Sequence, residues 1–190
     1  SGQADFETGA LKFTMIGAYR AVRSDTNPDS DFTSADLIGF NGNVTKIDTY
    51  TFEGRVASDF DGPLNFLLGG FYFKEDIDIA GSLRYGRDFR NYANFLTGGG
   101  YIANEGTLRA LNGIAATVPA FGSQGLGVFE NYDYGNNACS VFGQLDFEIT
   151  TGVTLTLGGN YTDDKKSVVT NISTTDTFST IDLVRTGYAF

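Results

Sequence analysis

Residues 138–162, ACSVFGQLDFEITTGVTLTLGGNYT, decide how this chain is read. Val141, Gly143, Leu145, Phe147 and Ile149 share one parity, and Ser140, Phe142, Gln144, Asp146 and Glu148 share the other. After Thr150-Thr151-Gly152 the alternation resumes. Val153, Leu155, Leu157, Gly159 and Tyr161 then stand opposite Thr154, Thr156, Gly158, Asn160 and Thr162. A period of two over both arms, with a short Gly-containing link, predicts a β-hairpin with one apolar face. Each arm has about ten residues, the length of a tilted strand crossing a hydrocarbon layer.

The same alternation extends outward to earlier segments. Strands are expected near 11–23, 44–58, 64–80, 138–149 and 153–169, and another near 178–190. In the first, Leu11, Phe13, Met15, Gly17, Tyr19 and Ala21 share a face. In the second, Tyr50, Phe52, Gly54 and Val56 oppose a polar face that includes Glu53 and Arg55. The third is apolar on both faces over 64–73, then turns polar at Lys74, Glu75, Asp76 and Asp78. Asp59-Phe60-Asp61-Gly62-Pro63 is a tight turn by composition. Residues 24–42 and 81–137 are polar, rich in Gly and Asn, and weakly periodic, so long loops are expected there. Within the second, residues 85–96, YGRDFRNYANFL, suit either a short helix or a strand. Connections thus alternate long and short. Long loops on one side and short turns on the other are the habit of a transmembrane barrel. The fold class expected is therefore all-β, an antiparallel transmembrane β-barrel segment with long extracellular loops, residues 1–190 forming part of one barrel domain.

Composition narrows function by exclusion. A net charge of -10 and a pI near 4.3 argue against nucleic-acid binding, which needs a basic footprint. The chain has no His and one Cys, Cys139, so neither an internal disulfide nor a metal cluster is expected. No base stands near Cys139 in sequence, and no nucleophile elbow occurs. Gly98-Gly99-Gly100 lacks the strand-turn-helix context of a phosphate loop. The reading is a chain that is not an enzyme and holds no cofactor. No apolar run approaches the ~20 residues of a membrane helix.

Several stretches resemble TonB-dependent outer-membrane receptors. Val56–Asp78 is similar to a barrel segment of that family, and Ser140–Lys166 is similar to its F-G-Q-L-[DE] strand, turn and L-T-L-G-x-R/N-Y-T-x-D-x-K strand. Glu53, Arg55 and Ser58 match its E-x-R-x-x-S ending, and Leu11–Arg20 resembles an earlier strand with Met15 and Ala18 as departures. The resemblance implies a section of a receptor that imports a scarce nutrient such as a ferric siderophore. It implies outer-membrane lipid, a plug domain and TonB as partners, and the outer membrane of a Gram-negative bacterium as location. Glu53, Arg55, Gln144, Asp146 and Glu148 would line the lumen wall. Tyr85, Arg87, Arg90, Tyr92, Tyr101, Tyr132 and Tyr134 would meet the ligand, with Arg87 and Arg90 facing an anionic iron chelate. No plug or TonB box is found in the sequence. Two other architectures stand beside this one: a self-contained small outer-membrane barrel, to which the terminal Tyr188 and Phe190 would suit, and a soluble all-β binding module.

Overall fold

The computed structural model describes residues 1–184, 186 and 187. Six strands follow one another as an antiparallel meander: β1 (Gly2–Thr8), β2 (Leu11–Thr26), β3 (Ile38–Ser58), β4 (Leu64–Tyr85), β5 (Gly127–Thr150) and β6 (Val153–Thr174). Between β4 and β5 lie three helices, α1 (Phe89–Leu96), α2 (Gly100–Ala103) and α3 (Glu105–Leu111). A short 3-10 turn covers Thr177–Thr180. The strand expected over 178–190 has no counterpart among its described residues, and Tyr188 and Phe190 lie outside them.

The sheet order is β1-β2-β3-β4-β5-β6, so β1 and β6 are its two edges and do not pair with each other. This corrects the barrel expectation. The six strands form an open sheet, and the segment expected as an extracellular loop carries three helices in place of loop alone. The fold is a mixed α/β one, built on an open six-stranded antiparallel sheet. No helix among the described residues is long and apolar enough to cross a membrane.

Strands β2 to β6 overlap the segments expected near 11–23, 44–58, 64–80, 138–149 and 153–169 and run longer, whereas β1 was not expected. Pairing to neighbours carries β3 back to Ile38, β4 on to Tyr85 and β5 back to Gly127. The 24–42 loop thereby shrinks to residues 27–37, and the 81–137 segment contains helices and a strand end. The connections at 9–10, 27–37, 59–63, 86–126 and 151–152 still alternate short and long, so loop length does not distinguish an open sheet from a barrel.

The chain divides into two compact units. Unit 1 comprises Ser1–Arg23, Lys46–Asp78 and Asp133–Val169 and holds parts of all six strands. Its first hairpin turns at Gly9, whose φ of +59° suits glycine, with Phe6 opposite Phe13 and Ala4 opposite Met15. Its last turns at Gly152, φ +83°. Asn65 closes the Asp59–Pro63 turn, accepting from Phe60 N at 2.7 Å and donating to Phe60 O at 3.1 Å. Between β4 and β5, the Phe142 ring lies over Gly69; a Cβ there would fall 2.3 Å from Phe142 Cζ. The absent side chain is thus what seats the ring.

Unit 2 comprises Ser24–Thr45, Ile79–Tyr132 and Thr170–Phe190. Here the helices fold over their own buried centre. Phe121 is fully buried, Leu108 is 5% exposed, and the Phe178 ring lies 5.3 Å from that of Phe121 and 5.4 Å from that of Tyr101. The 27–37 loop is stitched by Asp31, whose carboxylate accepts from the backbone N of Thr33, Leu37 and Ile38 at 3.0 Å each.

Candidate functional site

The helical segment places two of the sequence candidates in one cluster. Arg90, on α1, donates from Nη2 to Glu105 Oε2 at 2.5 Å and from Nη1 to Phe121 O at 2.7 Å. Arg109, one turn along α3, donates from Nη1 to Glu105 Oε1 at 3.1 Å and from Nη2 to the carbonyls of Ala115 and Val118. Glu105 also accepts from Phe121 N at 2.9 Å. Tyr101 lies under Arg90, and burial, followed by the Asp176 charge, raises its phenol well above the usual range. Asp176, 4% exposed, accepts from Gly122 N at 3.0 Å and Phe178 N at 3.1 Å. A cavity of about 560 Å³ lies beside Arg90, Glu105 and Arg109. Both guanidinium groups nevertheless direct their terminal nitrogens to protein acceptors, so the cluster's geometry is that of a fastening for residues 89–122.

The remaining loop candidates are dispersed. Tyr85, at the end of β4, stacks on Phe89 at 4.0 Å, and burial raises its phenol. Arg87 is largely exposed and lies 3.5 Å from Asp88 and 4.0 Å from Asp36. Tyr92 stands exposed on α1. Tyr132 donates to Glu130 at 3.4 Å in unit 2, whereas Tyr134 belongs to the unit 1 part of β5. Sequence reading passed over Glu105, Arg109, Phe121 and Asp176. The only local signal was the Glu105–Arg109 spacing of four, which pairs charges on a helix.

The residues expected to line a lumen are polar side chains of unit 1. Glu53 and Arg55 pair at 3.5 Å. Gln144 donates to Asp146 at 3.0 Å, and Thr156 donates to Asp146 at 2.7 Å. Those two bonds, Thr156 first, hold the Asp146 carboxyl below its ordinary range. Glu148 joins the strand ladder through its N–H, donated to Pro63 O at 2.7 Å. In an open sheet there is no lumen for them to line.

Unit 1 also carries a surface that folding within this chain leaves uncovered. Val141, Leu145, Phe147 and Ile149 of β5 and Val153, Leu155, Leu157 and Tyr161 of β6 are 46–70% exposed. Met15, Tyr19, Tyr50, Phe52, Leu64, Leu68 and Tyr72 on the other strands are exposed as well. Every residue of β6 is exposed, and among the described residues β5 is its one neighbour in the sheet. Its charges are matched locally, Lys165 to Asp163 at 3.3 Å and Lys166 to Asp164 at 3.1 Å, so the edge is close to neutral. A contiguous apolar surface beside a free strand edge is a combination that marks association.

No family model matches the chain, and no curated protein matches it. The TonB-dependent-receptor resemblance is therefore unsupported by comparison, and the open sheet contradicts its architecture. What it implied falls with it: nutrient import, a ferric-siderophore ligand, outer-membrane lipid, plug and TonB as partners, and residence in the outer membrane. The self-contained small barrel fails for the same reason, since β6 does not meet β1.

Proposed function

We propose that this chain is a protein-interaction module, acting by binding and not by catalysis, that takes up a partner strand along β6. The observation that carries the reading is the state of β6: twenty-two residues, all exposed, hydrogen-bonded on one side to β5. A strand in that condition offers a row of backbone donors and acceptors to an extended segment. Main-chain bonds supply affinity in this mode, and alternate side chains supply selectivity. The partner is accordingly an extended segment with apolar residues at every second position, able to continue the face made by Val153, Leu155 and Leu157. Covering roughly 500 Å² of apolar surface on β5 and β6 would contribute about 12 kcal/mol gross, a value that association costs reduce severalfold. The absence of His and the single Cys139 support binding over catalysis.

The test is hydrogen exchange over 153–169, with and without a synthetic peptide of alternating Val and Thr. Protection should rise on adding the peptide and stay unchanged with a proline-interrupted control. The proposal is overturned if the peptide has no effect, or if phosphatidylcholine vesicles alone protect the segment.

A further inference from the structure

Unit 2 contains a second concavity, built differently from the fastening around Glu105. It has a volume of about 460 Å³, within the size range of small-molecule sites. Four neighbouring strands supply its sides: Thr26 from β2, Asn41 and Asn43 from β3, Ser82 from β4, and Glu130 and Tyr132 from β5. Gly81 lies among them. A Cβ on Gly81 would meet Glu130 O at 3.6 Å and Asn43 Cβ at 3.7 Å, ordinary contact distances. Space for a side chain exists there and is left empty, which keeps the concavity open.

The lining has a definite chemistry. Among the described residues that line it Glu130 is the one charged group, with no Lys or Arg. An anion would meet a carboxylate with no compensating cation. A hard metal ion would find one carboxylate, and among the described residues no group of three metal-ligating side chains occurs. The polar groups are amides and hydroxyls with capacity left over. Asn43 Oδ1 accepts from Thr26 at 3.2 Å and Thr45 at 3.3 Å, while its Nδ2 makes no hydrogen bond among the described residues. Asn41 Nδ2 donates to Ser30 at 2.7 Å, which leaves its Oδ1 to accept. The Tyr132–Glu130 bond is long, at 3.4 Å, and leaves one Glu130 oxygen without a side-chain donor among the described residues. Mixed donors and acceptors around one phenol ring match a ligand that carries several hydroxyls and a C–H face.

We propose that this concavity binds a neutral, polyhydroxylated ligand of saccharide type, with Asn41, Asn43 and Glu130 addressing hydroxyl groups and Tyr132 offering its ring. The inference is independent of strand uptake at β6.

The test is titration calorimetry of the whole chain with maltose, cellobiose, xylobiose and chitobiose, beside sodium citrate as the anionic comparison. A dissociation constant of about 1 mM or tighter is expected for at least one of the sugars and none for citrate. Gly81→Val fills the concavity with a residue that suits a strand, and should abolish binding while the circular dichroism spectrum is retained. Glu130→Gln should weaken binding at least tenfold. Binding of none of the four sugars, binding of citrate alone, or undiminished sugar binding by a folded Gly81→Val chain overturns the proposal.

Discussion

Replacing Glu105 by Ala should loosen the whole helical segment, and the size of the effect follows from what that carboxylate holds. Its side chain is 9% exposed and receives Arg90, Arg109 and the Phe121 N–H. Taking one partner from a buried ion cluster costs about 3–5 kcal/mol, because the charges left behind remain desolvated. The Arg109 side chain is 13% exposed and cannot rehydrate in place, whereas Arg90 at 24% partly can, which favours the lower end. The orphaned N–H of fully buried Phe121 costs about 1–3 kcal/mol more, though the two losses overlap and do not add. A local destabilisation of about 3–4 kcal/mol is expected. At about 1.4 kcal/mol per factor of ten, slow amides within 105–123 should lose protection by two to three orders of magnitude. Glu105→Gln keeps an acceptor for Phe121 N and the shape of the side chain, so it should cost about 2 kcal/mol. Hydrogen exchange read by mass spectrometry resolves both variants. An alanine variant within 1 kcal/mol of the parent, or a Gln variant as damaged as the Ala one, would refute the role of the charge cluster.

Other expectations follow from the same geometry. Gly69→Val would drive a Cβ into the Phe142 ring and should destabilise unit 1 by about 1–3 kcal/mol in urea unfolding, with Phe142→Ala in the same chain recovering part of the loss. Asp31 has its pKa lowered by the backbone N–H groups of Ile38 and Thr33, so its contribution is present above the ordinary carboxylate range. That contribution disappears as pH falls through the depressed value, so protection factors over 27–38, exchange rates corrected for the intrinsic rate at each pH, should fall in acid in the parent and change less with pH in Asp31→Asn. The Leu155→Lys/Leu157→Lys chain should lose uptake of the alternating Val-Thr peptide by at least tenfold, as measured by fluorescence anisotropy, with unchanged exchange over 105–123.

The hairpin of β5 and β6 is legible because alternation at Val141–Ile149 and Val153–Tyr161 is a local property of the chain, whereas β1 was not expected and the strand expected over 178–190 has no counterpart among the described residues. Whether a sheet closes is not local. Closure turns on whether β6 reaches β1, residues about 150 positions apart, and apolar alternation looks the same in an open sheet and a ring. The start of β5 has the sequence of a loop, Asn-Tyr-Asp-Tyr-Gly-Asn-Asn, rich in Asn, Asp and Gly that strands disfavour; its neighbours impose the extended form. The helices were obscured by their brevity. Residues 89–111 are divided into pieces of eight, four and seven residues, interrupted at Gly98 and Gly99, where φ is +60° and +93°. Pieces of that length are not stable alone and depend on distant partners. Those partners, Phe121 for Glu105 and Asp176 for Gly122, lie 16 and 54 residues away, so beyond the Glu105–Arg109 spacing nothing local marks Glu105, and nothing local marks Asp176. Arg90 and Tyr101 were singled out for their chemistry, and their positions became intelligible only with those partners in place.

Amide exchange of the chain alone, resolved residue by residue by NMR, tests most directly whether β6 is a free edge. Along 153–169, amides bonded to β5 should exchange slowly and those at intervening positions at near-unprotected rates, a two-residue alternation along the strand. Uniform slow exchange across the segment would mean that β6 is paired on both sides, and would contradict the open sheet and the function drawn from it.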